Sequence, residues 1–176
     1  MAALPSTSAQ QRKLFLYCPD SVTAETVSMF RGKGYDCVAL TADPADFWKA
    51  VGSLSKDDVL VLYSHGDTSG PLMVKGQAGS DMTDEEIAKL AAILSHYDVP
   101  FYLLSCNTGG GSFFEKLSSV RGVNAIAPKG YALVGATSEF LKITSVKSIN
   151  DHSTGPGWAT SGNIRTPRAA TSMSVP

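Results

Sequence analysis

Two side chains that could act together on a carbonyl group, those of His65 and Cys106, each follow a short apolar run. The runs are VLVLY at 59–63 and FYLL at 101–104, which are typical of buried strands in a parallel sheet. The carboxyl ends of such strands form the edge at which α/β folds hold ligands. A thiol beside an imidazole that accepts its proton can attack a carbonyl carbon. These positions therefore predict a Cys/His pair for hydrolytic chemistry.

Glycine-rich turns follow both residues. Gly66 comes directly after His65, and Cys106 is followed by NTGGG at 107–111 and then by a predicted helix. Glycine lets a substrate backbone approach closely, and the N–H groups of such a turn can stabilise a thiolate or an oxyanion. The turns thus strengthen the prediction of a catalytic site at the ends of two strands.

Other motifs that would use the same residues fail at named positions. A tyrosine-phosphatase loop requires arginine six residues after the cysteine, where this chain has Ser112. A phosphate-binding Walker A loop requires a lysine that GGSF at 110–113 lacks. A glutamine amidotransferase would have its histidine downstream of the cysteine, and the candidate there, His152, follows no apolar strand. That order stays open with little support.

Strand and helix signals alternate along the chain, as in βαβ units. Besides the strands before His65 and Cys106, strands are predicted at 14–18, 35–40, 123–127 and 131–134. Helices are predicted from about 22 to 30 and after the capping residues Asp43, Thr83 and Ser112. The stretch 66–81 is interpreted as a hairpin or excursion, and 140–149 as either helix or strand. We therefore expect a three-layer α/β/α sandwich with a mainly parallel central sheet.

The composition limits the domain organisation and the partners. We expect a disordered segment at 1–12, one domain at 13–150, and a Gly/Ser/Pro-rich loop and tail at 151–176 that could complete a substrate cleft. The 176 residues carry a formal net charge of -1, which gives no reason to expect nucleic acid or a membrane as partner. The amino terminus lacks a Sec signal, so we expect a cytoplasmic protein or one delivered by another route.

Cysteine usage argues against a disulfide framework and a structural zinc site, because the three cysteines are far apart and no C-x-x-C spacing occurs. Cys18 and Cys37 are interpreted as small buried hydrophobic residues. No metal and no cofactor is predicted.

The residues around His65 and Cys106 resemble those of the clan CD cysteine peptidases, which include caspases, legumain and the CHAT domains. YSHGD at 63–67 is similar to the caspase histidine motif, and LLSCNTG at 103–109 is similar to CHAT and legumain sequences. The caspase signature QACRG is absent. The resemblance implies a caspase-like fold and a cysteine endopeptidase that hydrolyses protein or peptide substrates through an acyl-enzyme thioester.

The same resemblance implies roles for individual residues. Cys106 would be the nucleophile, His65 the proton carrier, and the N–H groups of Gly66 and Cys106 the oxyanion hole. Asp20, Asn107 and Trp158 would contact substrate, although Asp20 is equally well interpreted as the cap of the first helix.

Two further questions stay open at this level. Arg165 and Arg168 lie in a tail that could be a self-processing site, as in an effector or toxin protease, or simply a disordered end. The alternatives to a peptidase are a catalytically inactive caspase-like binding or scaffold module, and another thioester chemistry on a small molecule.

Overall fold

The structure is a computed structural model that describes residues 11–73, 81–136, 141–146 and 157–164. The strands are β1 (Lys13–Tyr17), β2 (Asp36–Ala39), β3 (Val59–Tyr63), β4 (His65–Asp67), β5 (Gly70–Leu72), β6 (Phe101–Leu103), β7 (Ala125–Pro128), β8 (Tyr131–Ala136), β9 (Leu141–Val146) and β10 (Trp158–Ser161). The helices are α1 (Ala24–Gly32), α2 (Pro44–Val51), α3 (Asp84–Tyr97) and α4 (Ser112–Ser119).

Six strands form one sheet in the order β10-β7-β6-β3-β1-β2. The five strands from β7 to β2 pair in parallel, and β10 pairs antiparallel with β7. Because these five strands run in the same direction, their carboxyl ends all lie at one edge, and crossover connections return the chain to the other edge. The predicted α/β class with a mainly parallel central sheet is confirmed.

Alternation along the strands divides the core into two parts. On β1, Leu14 and Leu16 pack against residues of α2, α3 and α4, whereas Phe15 packs against Phe30 of α1. A strand turns successive side chains to opposite faces, so a strand buried on both faces must be apolar at every position. The helices therefore flank the sheet on both sides, as the apolar runs indicate.

Two helix starts have the predicted cap residue, and two do not. Asp43 caps α2, and Thr83 forms a reciprocal capping box with Glu86 at the start of α3, both as predicted. Helix α1 is capped by Thr23, so the interpretation of Asp20 as its cap is wrong. Helix α4 begins at Ser112 itself, so the predicted Ser112 cap is also wrong.

The residue that precedes α4 explains this second difference. Gly111 stands at the cap position without a side-chain hydrogen bond. A Cβ atom built there would lie 2.0 Å from the carbonyl oxygen of Thr68, so the backbone approach excludes any capping side chain. Tertiary packing therefore selects glycine at the cap and moves Ser112 into the first turn.

In two further segments the structure decides between interpretations that the sequence left open, and in a third it differs from the interpretation. The stretch after Gly66 begins as the hairpin of β4 and β5, as predicted. The ambiguous stretch at 140–149 contains β9, which pairs with β8. The part of the tail interpreted as loop contains β10. The segment 1–10, His152, Arg165 and Arg168 lie outside the described residues.

Two features are absent from the described ranges. No helix there is long and apolar enough to cross a membrane. The same ranges contain no group of three or more side chains that could hold a metal ion.

Candidate functional site

The sheet brings the two predicted catalytic positions to neighbouring strand ends. β3 and β6 are parallel neighbours, with Leu62 opposite Leu103. The Leu104 N–H donates to the Leu62 carbonyl oxygen at 2.7 Å, which continues the pairing beyond the strands. His65 and Cys106 therefore emerge side by side at the carboxyl edge, as predicted from the two apolar runs.

A buried hydroxyl pair fixes these two strand ends to each other. The Oγ atoms of Ser64 and Ser105 lie 2.7 Å apart, and the two residues are 3% and 0% exposed. Ser64 Oγ also donates to the His65 carbonyl oxygen at 2.9 Å, so the Ser105 hydroxyl is the donor within the pair. Buried hydroxyls need such partners. The pair holds the residues directly before His65 and Cys106 in register, a feature that sequence reasoning missed.

Gly66 packs against the residues around the thiol. A Cβ atom at Gly66 would lie 2.8 Å from Ser105 Cβ and 2.9 Å from the Cys106 carbonyl oxygen. Pro71, opposite Gly66 in β5, has no N–H and cannot exchange paired hydrogen bonds with it. In such a non-hydrogen-bonded pair the Gly66 N–H is directed away from β5. This direction is compatible with the predicted role of that N–H in an oxyanion hole.

Asp20 lies beside the imidazole. His65 Nε2 is 3.7 Å from Asp20 Oδ2 and is shielded from solvent, although the His65 side chain as a whole is 37% exposed. At this distance the carboxylate contacts the ring nitrogen without a hydrogen bond to it. The sequence suggested Asp20 for substrate contact, and its ion-pair partner was not foreseen.

Tyr63 adds a phenol next to the thiol. Burial raises the pKa of Tyr63, and the nearby Cys106 raises it further. The phenol thus stays protonated and can donate a hydrogen bond close to Cys106. Cys106 itself is half-buried and does not belong to a disulfide. A thiol, an imidazole, a carboxylate and a phenol therefore meet at one sheet edge.

The two other predicted substrate contacts occupy structural positions. Asn107 is 7% exposed and left-handed (φ 61°), its N–H donates to the Gly130 carbonyl oxygen at 2.8 Å, and its Oδ1 has no hydrogen-bond partner among the described residues. Trp158 begins β10, opposite Pro128 of β7, and is half-buried against the core on the α1 side. Their contact with substrate stays a prediction.

The thiol of Cys18 contrasts with that of Cys106. Cys18 is fully buried, as predicted, and its Sγ donates to the Met73 carbonyl oxygen at 2.8 Å. Burial raises the pKa of Cys18 from 9.0 to about 12, and the carboxylates of Asp20 and Asp81 act in the same direction. We expect native protein at pH 8 to react with iodoacetamide at Cys106 at least about ten-fold faster than at Cys18, with peptide mass mapping as the measurement.

The pH dependence of stability tests separately whether the Cys18 thiol is buried in the folded protein. A thiol whose pKa is higher in the folded state than in the unfolded state stabilises the fold fully below the unfolded pKa, near 9, and this contribution is lost as the pH rises towards 12. Cys18→Ala should reduce the loss of thermal stability above pH 9. Rapid alkylation of Cys18 in folded protein would contradict its burial.

The comparisons with known proteins do not assign the chain to a family. No family model matches the chain, and no curated protein matches it. Among solved structures, it is similar to an aromatic-amino-acid aminotransferase from Burkholderia pseudomallei covalently bound to pyridoxal phosphate, with 16% identity and a TM-score of 0.41 over 66% of this chain and 30% of that chain. A broad specificity aminotransferase from Leishmania mexicana has 15% identity and a TM-score of 0.42 over 65% of this chain and 30% of that chain.

An aspartate aminotransferase from Trypanosoma cruzi gives 12% identity and a TM-score of 0.44 over 71% of this chain and 33% of that chain. The chain thus spans about a third of the length of these aminotransferases. Because the three TM-scores lie below 0.5, the similarity does not assign an aminotransferase activity to this chain.

These comparisons correct the predicted identity. The similar structures are pyridoxal-phosphate aminotransferases and not clan CD peptidases, so the resemblance to that clan and the predicted cysteine endopeptidase are wrong. The inactive caspase-like module is not supported either, and the finer description of the fold as caspase-like is not confirmed. The positions of His65, Asp20 and Cys106 do not depend on that resemblance.

Proposed function

We propose that the chain is a thiol-dependent acyltransferase that accepts an acyl group from a small activated donor, such as a thioester, and passes it to an acceptor other than water. The observation that carries this proposal is the meeting of Cys106, His65 and Asp20 at one edge of the sheet. A thiol is the side chain best suited to hold an acyl group reversibly, and it needs a base beside it. Thioester chemistry on a small molecule is the alternative that remains once peptide hydrolysis is set aside.

In the first half-reaction the sulfur of Cys106 forms a bond to the donor's carbonyl carbon. The thiol proton moves to His65, and the Asp20 carboxylate lies 3.7 Å from Nε2 of that ring. The bond between the carbonyl carbon and the donor's leaving group then breaks, and His65 returns the proton to that group. The product of this step is an acyl-Cys106 thioester and the released leaving group.

In the second half-reaction an acceptor amine or thiol attacks the same carbonyl carbon. Its proton moves to His65, the bond to the Cys106 sulfur breaks, and the proton passes to the sulfur, so the enzyme returns to its starting state. The oxyanion formed in each half-reaction would accept a hydrogen bond from the Gly66 N–H, which is directed away from β5. The protonated phenol of Tyr63 is a second donor close to the thiol.

The test is acyl transfer measured by intact-protein mass. We expect wild-type protein incubated with the acetyl thioester of N-acetylcysteamine to gain one acetyl group at Cys106, and to lose it when an amine acceptor is added. Cys106→Ala should lower the rate of uptake by at least about 100-fold. Cys37→Ser is the matched control, because Cys37 is also partly exposed but lies on β2, at the far end of the sheet from Cys106.

The two halves of the experiment separate the possible outcomes. Uptake that is the same in Cys106→Ala and in wild type would overturn the proposal, because the acyl group would then sit elsewhere. Uptake at Cys106 that no amine or thiol acceptor releases would overturn the transferase assignment, since the second half-reaction would be missing.

A further inference from the structure

A cavity of about 260 Å³ lies at the carboxyl edge of the sheet, beside the end of β2. Leu40, which follows β2, forms its floor, and the first turns of α2 and α3 form its walls. Cys106 follows β6, and β1 and β3 lie between β6 and β2 in the sheet. At about 4.8 Å per strand, β6 and β2 are roughly 14 Å apart. Cys106, His65 and Asp20 are not among the residues that line the cavity.

The inner lining of the cavity is apolar. The side chains of Phe47, Trp48, Met73 and Met82 surround the space. The indole N–H of Trp48 donates to Glu86 Oε1 at 3.3 Å, and Phe47 and Trp48 meet edge to face with 5.1 Å between their centroids. These contacts hold the ring walls in place without a ligand, so an aliphatic group could enter with little rearrangement.

Three carboxylates line the same space, those of Asp43, Asp81 and Glu86. Each is held by a main-chain N–H: Ala45 donates to Asp43 at 2.9 Å, Thr83 to Glu86 at 2.8 Å, and Met73 to Asp81. The hydrogen bonds from Thr83 are the main cause that lowers the pKa of Glu86. The three carboxylates are thus fixed in position by main-chain hydrogen bonds.

The described lysines and arginines form no salt bridge with this carboxylate cluster. Lys89 lies over the Trp48 ring at 4.3 Å and contributes to the lowered pKa of Glu86. A negative, partly enclosed and apolar-walled space favours a ligand that carries both an aliphatic stem and a positive charge.

We propose that this cavity binds an aliphatic organic cation of the alkylammonium or diamine class. The methylene groups pack against Trp48 and the two methionines, and the ammonium groups lie among the carboxylates. This site goes beyond the proposed acyl transfer and does not depend on Cys106.

The probe is pentane-1,5-diamine, with binding followed by the fluorescence of Trp48. Trp158→Phe leaves Trp48 as the single tryptophan of the chain, so the signal comes from the cavity. We expect a saturable change with the diamine and at least a ten-fold weaker one with pentane-1,5-diol, which matches its length without the charge. Cys106→Ala should bind the diamine as well as its parent does, which distinguishes failure of this proposal from failure of the acyl-transfer proposal.

Charge removal can be made nearly isosteric here. Asp43→Asn keeps a residue that caps helices as well as aspartate does, and Glu86→Gln keeps a capping-box residue. Together with Asp81→Asn, these changes should weaken diamine binding at least ten-fold. Asp84→Asn is the matched control, because Asp84 pairs with Lys116 outside the cavity.

Equal binding of the diol, unchanged binding in the triple variant, or no saturable signal would each overturn the proposal. If the triple variant does not fold, Asp43→Asn alone should still weaken binding.

Discussion

Replacement of His65 by glutamine is expected to slow acyl uptake at Cys106 by about 10²–10⁴-fold, the range that general acid–base catalysis contributes. Glutamine keeps the length of the side chain and a hydrogen-bonding end, but it cannot accept and return a proton at neutral pH. Asp20 would then face a neutral amide in place of an ionisable ring. The rate of acetyl uptake from the thioester, read by intact mass, measures the loss.

The pH profile shows whether His65 acts as a base or only as a structural residue. Without a base, a thiol reacts in proportion to its ionised fraction, so the rate of His65→Gln should rise steadily above pH 8 and approach that of wild type. The matched control is His96→Gln, because His96 lies in the last turn of α3 and contacts Tyr97. A His65→Gln protein that keeps the wild-type rate at pH 7 would rule out His65 as the proton carrier.

Gly66→Ala is expected to destabilise the protein by about 1–3 kcal/mol, the usual cost of overpacking, and to lower acyl uptake at least ten-fold. The added methyl would meet Thr108 Cγ2 at 2.7 Å and the Cys106 carbonyl oxygen at 2.9 Å. The backbone oxygen cannot give way without moving the nucleophile, so stability and activity should fall together. Urea unfolding measures the first effect, and the thioester assay measures the second.

Gly32→Ala provides the comparison for this substitution. Gly32 ends α1, and beyond its chain neighbours and its own helix backbone no heavy atom lies within 4 Å of the place its Cβ would take, so alanine there should not destabilise the protein. A Gly66→Ala protein as stable and as active as Gly32→Ala would show that the strand ends are not packed as tightly as the distances indicate.

Local chemistry explains which parts of the fold could be predicted from the sequence. The apolar runs before His65 and Cys106 allow burial on both faces, and the capping box at Thr83 satisfies N–H groups within one turn. These signals lie within a few residues of the element they specify. The starts of α2 and α3 and the buried strands before His65 and Cys106 could therefore be predicted from local sequence.

Features that depend on distant residues were not found. β10 is only four residues long, and it forms because it pairs with β7 some thirty residues earlier. The Ser64–Ser105 hydroxyl pair and the contact between Asp20 and His65 also join separate strands. A single sequence gives no signal for such pairings, so the order of the strands has to be known first.

The incorrect family assignment has a related physical cause. It rested on YSHGD at 63–67 and LLSCNTG at 103–109, in which serine precedes both functional side chains and glycine follows His65. The structure shows that these residues are needed wherever two strand ends approach closely, since Gly66 and Ser105 leave no room for larger groups. A motif made of such residues indicates close packing at a sheet edge, and that requirement is not specific to one family.

The antiparallel strand β10 also affects how copies of the chain meet. An exposed edge of a parallel sheet offers unpaired N–H and C=O groups to any extended chain, which favours aggregation. β10 covers the β7 edge with a strand of four residues that lies between Gly157 and Gly162, both at positive φ. On the opposite edge, the four residues of β2 begin at the exposed Asp36, which pairs with Arg12. Both edge strands of the sheet are thus short, which disfavours edge-to-edge pairing between copies of the chain.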